Sequence, residues 1–233
     1  MNRLPRVRML ASVRSAEEAL FAVQAGADLI DAKEPSGGTL GSVGPEVLRA
    51  IVAAVGGRRP VSATVGDLPL ELESLRQAAR LNADCGANFV KVGIFDRDLP
   101  LAKIRALPRA VAGVPLIAVL FADLSPPPLQ AAAHLADAGW HGVMLDTAGK
   151  IDGGLRDWTE PDWLADFVRR ARAAELLVGL AGSLREDDVR PLAALGPDYL
   201  GFRGALCSGA DREECLDPDR VRTIRALLDR AAN

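Results

Sequence analysis

The chain has 233 residues, 49% of them hydrophobic and 25% charged, with a formal net charge of −3. That composition excludes a disordered chain, and the small acidic balance gives no footprint for nucleic acid or an anionic membrane surface. No apolar run approaches the roughly 20 residues of a membrane span, and the basic start (Arg3, Arg6, Arg8) leads into a strand-like segment without a cleavage signature, which reads as cytosolic.

Residues 8–13 read as the first strand. Ser15 to Glu18 forms a capping box opening a helix to about Ala25, closed by Gly26. The second strand, residues 29–33, follows at once and leads into the glycine-rich stretch 36–41. Pro45 starts the second helix, where its missing N–H costs nothing. A third strand at 61–65 ends on Gly66 and Asp67, and a helix over 71–85 leads past Gly86 to a fourth strand at 89–94. The same alternation continues with a helix at 99–111, a strand at 116–121, a helix at 126–138 and a strand at 142–146. The insert 147–158 carries Lys150, Gly153 and Gly154, and Thr159 to Asp162 caps the next helix, with Pro161 in its first turn. A strand at 176–180, a helix at 186–195, a strand at 199–203, the loop 204–214 and a helix at 218–231 complete the chain.

These are eight strand–helix units with no linker or shift of composition between them. Short apolar strands alternating with amphipathic helices imply a parallel sheet, and eight units in this length imply a closed α/β barrel, a (β/α)8 or TIM barrel, as a single domain over 1–233. A doubly wound open sheet would show a Gly-rich phosphate turn after its first strand, and residues 12–15 do not supply one.

In such barrels chemistry sits where strands end. Those ends carry Ser12, Asp31, Lys33, Thr64, Asp67, Lys91, Asp123, Asp146, Ser183 and Arg203. Lys33, Lys91, Asp146 and Arg203 come from even-numbered strands, which share interior layers, so these four can converge. Gly93 and Gly201 on the same faces leave room for a ligand. Of 28 basic residues 24 are arginines, and three of the four lysines (Lys33, Lys91, Lys150) lie at or just past strand ends. An amine can lose its proton and attack a carbonyl, whereas a guanidinium cannot. Lys33 or Lys91 could thus form an imine with an aldehyde or ketone, and Asp146 or Asp31 could remove a proton from the adjacent carbon. The bland alternative is a pair of structural ion pairs, Asp31–Lys33 and Lys91–Asp146.

Phosphate is the expected handle on the substrate. The loops after the seventh and eighth strands expose backbone N–H groups at Gly182, Ser183 and Gly204 beside Arg203, and Gly38 with Thr39 could serve a second anion. Asp67 joins this substrate-binding set. Cys85, Cys207 and Cys215 lack CxxC spacing, so reduced thiols are expected, and His134 and His141 are not placed as metal ligands.

Several stretches are long and unusual: AGADLIDAKEP at 25–35 followed by GTLG at 38–41, VSATVGD at 61–67, FVKVG at 89–93, MLDTA at 144–148, LAGS at 180–183 and RGALC at 203–207. Together they make the chain resemble the (5-formylfuran-3-yl)methyl phosphate synthase family along nearly its whole length. The resemblance implies a TIM barrel that condenses two molecules of glyceraldehyde 3-phosphate on the way to methanofuran-type cofactors, losing phosphate and water, with no metal or cofactor. It marks Lys33 as the imine-forming lysine and Lys91 as its partner acid/base. Asp146 and Asp31 move protons, with Lys150 nearby. The partner expected is a phosphorylated triose, not nucleic acid or membrane, and self-association is left open. A Schiff-base aldolase on another sugar phosphate and a non-catalytic sugar-phosphate-binding barrel are the competing readings.

Overall fold

Side chains alternate between the two faces of a strand, so each strand of a barrel sends one set inward and packs the other beneath the helices. The computed structural model describes residues 6–96, 99–149 and 153–231. Its strands are β1 (Arg8–Val13), β2 (Leu29–Ala32), β3 (Val61–Thr64), β4 (Phe89–Ile94), β5 (Leu116–Phe121), β6 (Gly142–Asp146), β7 (Leu177–Leu180) and β8 (Tyr199–Phe202). The helices that follow them are α1 (Ala16–Gln24), α2 (Pro45–Val55), α3 (Leu72–Asp84), α4 (Leu101–Ala110), α5 (Ala131–Asp137), α6 (Pro161–Ala173), α7 (Glu186–Ala193) and α8 (Pro218–Ala231). All neighbouring strands pair in parallel in sequence order, and β1 also pairs with β8, closing the (β/α)8 barrel.

Two hydrophobic cores result. The outer one packs residues such as Ile30, Val90, Val92 and Val143 against the buried faces of the helices, among them Leu48, Ile104 and Phe167. The inner one fills the lower barrel with Leu10, Leu29, Ile117, Val119, Met144 and Tyr199. Tyr199 fits because Gly179 faces it: a Cβ there would lie 2.2 Å from the Tyr199 Cζ. Small residues opposite large ones let the layers of a narrow barrel interdigitate.

Some boundaries differ from expectation. The helix expected from residue 126 begins at Ala131 as α5, because Pro126, Pro127 and Pro128 supply no N–H for a helical ladder. Only half of the capping box forms: Ser15 Oγ accepts from the Glu18 N–H at 3.2 Å, but the Glu18 carboxylate accepts from the Arg14 N–H and turns toward Arg203. The room expected above Gly93 is taken up by Phe95 and Leu40. No helix among the described residues is long and apolar enough to cross a membrane.

Candidate active site

The upper ends of the strands enclose a cavity of about 800 Å³, a size suited to a small organic ligand. Asp31, Lys33, Lys91 and Asp146 all line it. β2 ends one residue before Lys33, whose N–H still donates to the Val13 carbonyl at 2.9 Å, so its side chain keeps the inward direction of Asp31. β4 and β6 deliver Lys91 and Asp146 from across the barrel. These four residues are between 1% and 8% exposed, and burying such groups costs several kcal/mol per ion unless charges are matched.

They are matched, but crosswise. Lys91 Nζ lies 2.9 Å from Asp31 Oδ1, and Lys33 Nζ lies 4.0 Å from Asp146 Oδ2. The Asp31–Lys33 and Lys91–Asp146 pairs expected from the sequence are therefore replaced by pairs that span strands. Residues two apart on one strand lie about 6.5 Å apart with parallel side chains. They cannot meet, whereas long side chains from different strands converge on the axis.

Asp31 is held on both oxygens. Ser12 Oγ donates to Oδ2 at 3.0 Å and Ser62 Oγ donates to Oδ1 at 2.5 Å. The Lys91 ammonium meets the same Oδ1 at an angle unsuited to a hydrogen bond, so its donors remain available to a guest in the cavity. The Tyr199 ring lies below, its centroid 6.0 Å from Lys91 Nζ. Burial, reinforced by the Asp31 carboxylate, pushes the Tyr199 phenol above its usual range, so it stays neutral there. Asp146 Oδ1 accepts from the Thr147 N–H at 2.8 Å. Ser62 was not singled out in the sequence. Its signal was a serine at an inward position of a core strand, directly opposite Asp31 in the register. Replacing it by alanine strips a charged oxygen of its donor, and Ser62→Ala is expected to lower stability by about 1.5–3 kcal/mol in urea unfolding. A change below about 0.5 kcal/mol would mean that Asp31 does not depend on this hydroxyl.

The expected phosphate-binding set separates. Gly182, Ser183, Gly204 and Arg203 line the cavity, with Gly182 at φ +105° and Ser183 at φ +48° turning the chain after β7. Arg203, however, has no free donor. Its guanidinium binds both Glu18 oxygens and the carbonyls of Ser12, Arg212 and Glu214. Asp67 is not turned to a ligand either, because its carboxylate accepts from the N–H groups of Thr39 and Leu40 at 2.6 Å each. That bond consumes the Thr39 amide, and Thr39 Oγ1 donates to the Ala148 carbonyl, so Gly38 and Thr39 form a braced loop instead of an anion cradle. A Cβ on Gly38 would lie 2.3 Å from the Asp67 carboxylate, and its φ of +109° also requires glycine. Lys150 lies outside the described residues. No group of three or more His, Cys, Asp or Glu side chains among the described residues is arranged to hold a metal ion.

The fold matches the crystal structure of phosphoribosyl anthranilate isomerase from Thermus thermophilus with a TM-score of 0.70, covering 96% of this chain and 99% of that one at 19% identity. At that identity the likeness concerns the barrel alone. A protein of Methylorubrum extorquens, provisionally named a (5-formylfuran-3-yl)methyl phosphate synthase, is 45% identical over 218 residues, covering 93% of this chain and 89% of its own. The (5-formylfuran-3-yl)methyl phosphate synthase of Methanothermobacter thermautotrophicus is 34% identical over 232 residues, covering 95% and 98%. The family model described as 4-HFC-P synthase matches residues 9–225, from the first barrel strand into the last helix, and the chain belongs to this enzyme family.

Proposed function

We propose that the chain condenses two molecules of glyceraldehyde 3-phosphate into (5-formylfuran-3-yl)methyl phosphate through an imine on Lys33. The observation that carries the reading is the shared cavity, in which two amines each face a carboxylate. A proton passed from the Lys33 ammonium to Asp146 frees the amine as a nucleophile. The freed amine adds to the carbonyl of the first triose, and Asp146 returns its proton to the leaving hydroxyl, so that water departs and a protonated imine remains beside the regenerated carboxylate. Asp146, 4.0 Å from Nζ, then removes the proton on the carbon next to the imine, and the resulting enamine attacks the carbonyl of the second triose. Lys91, paired with Asp31, protonates the oxygen that becomes charged in that attack. Elimination of phosphate and water closes the furan, and hydrolysis of the link to Lys33 releases the product and restores the amine. Lys150, two residues beyond the MLDTA stretch that carries the resemblance, is proposed to belong to the same set.

Incubation with glyceraldehyde 3-phosphate tests the reading. A furan absorbance rising together with released phosphate supports it. An unmodified aldol product would point to a Schiff-base aldolase, and binding without turnover to a sugar-phosphate-binding barrel.

A further inference from the structure

Four arginines line the cavity: Arg185, Arg203, Arg212 and Arg220. The one expected from the sequence to hold phosphate, Arg203, is fully engaged inside the protein. Its pair with Glu18 is buried, with the two side chains 9% and 7% exposed. Arg203 Nε and Nη2 hold the carbonyls of Arg212 and Glu214, each at 2.8 Å, while Arg14 Nη1 holds the carbonyl of Glu213 between them at 2.6 Å. Glu18 in turn accepts from the Leu216 N–H. Three consecutive carbonyls of the loop after β8 are thereby fastened to α1 and the end of β1.

The residue this clamp presents to the cavity is Arg212. Its half-buried guanidinium reaches from the β8 loop to the β2 loop, where Nη2 donates to the Gly38 carbonyl at 3.2 Å. That single bond to a neutral acceptor is its side chain's only hydrogen bond among the described residues. A phosphate could displace the carbonyl without breaking an ion pair and would gain a bidentate partner. Arg185, by contrast, is exposed and directly precedes the acidic first turn of α7.

Resting on the reading that the substrate is a phosphorylated triose, we propose that Arg212 binds a substrate phosphate monoester across the cavity mouth. The buried Glu18–Arg203 pair is its positioning device. Calorimetric titration with inorganic phosphate tests the site apart from turnover. Arg212→Gln weakens phosphate binding by about tenfold to a hundredfold, the loss of a charge-assisted contact, and Arg212→Lys recovers part of it. Affinity within twofold of the native protein in Arg212→Gln, or no phosphate uptake by the native protein, would overturn the proposal. Glu18→Gln separates the two arginines by sign. A clamp that loosens weakens phosphate binding, whereas an Arg203 released to act as ligand itself strengthens it and sinks the assignment. Borohydride trapping of unphosphorylated glyceraldehyde on Lys33 runs alongside. It persists in Arg212→Gln if the imine chemistry is independent of the phosphate site, and its absence in the native protein, with phosphate binding intact, would count against the Schiff-base reading alone.

Discussion

Lys33→Arg is expected to lose essentially all furan formation, more than about 10⁴-fold, a larger loss than removal of an acid–base group alone, while the protein remains folded. Arginine keeps the positive charge opposite Asp146 and retains the alkyl stem, so the ion pair and the packing survive. It cannot surrender a proton and add to a carbonyl. The substitution therefore separates charge from nucleophilicity at one position. Sodium borohydride with glyceraldehyde 3-phosphate should add substrate mass at Lys33 in the native protein and none in the variant. A label confined to Lys91 would transfer the nucleophile's role to that residue. Substantial turnover by the arginine variant would reduce Lys33 to an electrostatic contribution.

The second large effect is on the buried pair beneath it. Asp31→Asn removes the negative charge 2.9 Å from an amine that is 1% exposed. Breaking a buried pair from one side leaves the other charge uncompensated, a cost of about 3–5 kcal/mol in unfolding free energy. Lys91→Met should cost less, because Ser12 and Ser62 still donate to both Asp31 oxygens and the apolar stem is replaced by one of similar volume. The double variant should recover stability relative to Asp31→Asn, since no lone cation then remains. Activity follows another order. Each single variant falls by about 10²–10⁴-fold and the double variant does not recover, because the proposed proton carrier, Lys91, is absent from two of the three and left without its partner in the other. Urea unfolding and turnover measured on the same preparations distinguish the two roles. An Asp31→Asn protein within about 1 kcal/mol of native stability would show that Lys91 is not held as a charged group.

Much of this molecule is legible in its sequence. Hydrophobic period and turn residues mark all eight strands to within a residue or two at their ends, because those signals are local. The strand-end positions follow as well: once the strands are placed, Asp31, Lys33, Lys91 and Asp146 must sit at one end of the barrel and point inward. The expected start of α5 failed for an equally local reason, a proline run that cannot donate hydrogen bonds.

The partners of those charges belong to the tertiary structure. Which amine meets which acid depends on the stagger of strands that are distant in sequence, and the axis of the barrel favours contacts between strands over contacts along one. The same holds for Arg203 and Asp67. Each occupies a rim position that suits a ligand, yet one is neutralised by Glu18 from the neighbouring α1 and the other is capped by the amides of the β2 loop. Sequence by itself determined the barrel and the chemical character of its mouth, since periodicity and residue type act over a few neighbouring positions. Only the folded chain decided which charged groups are spent on holding loops and which stay open to a ligand, because that depends on which acceptors the closed barrel brings within about 3 Å of each donor.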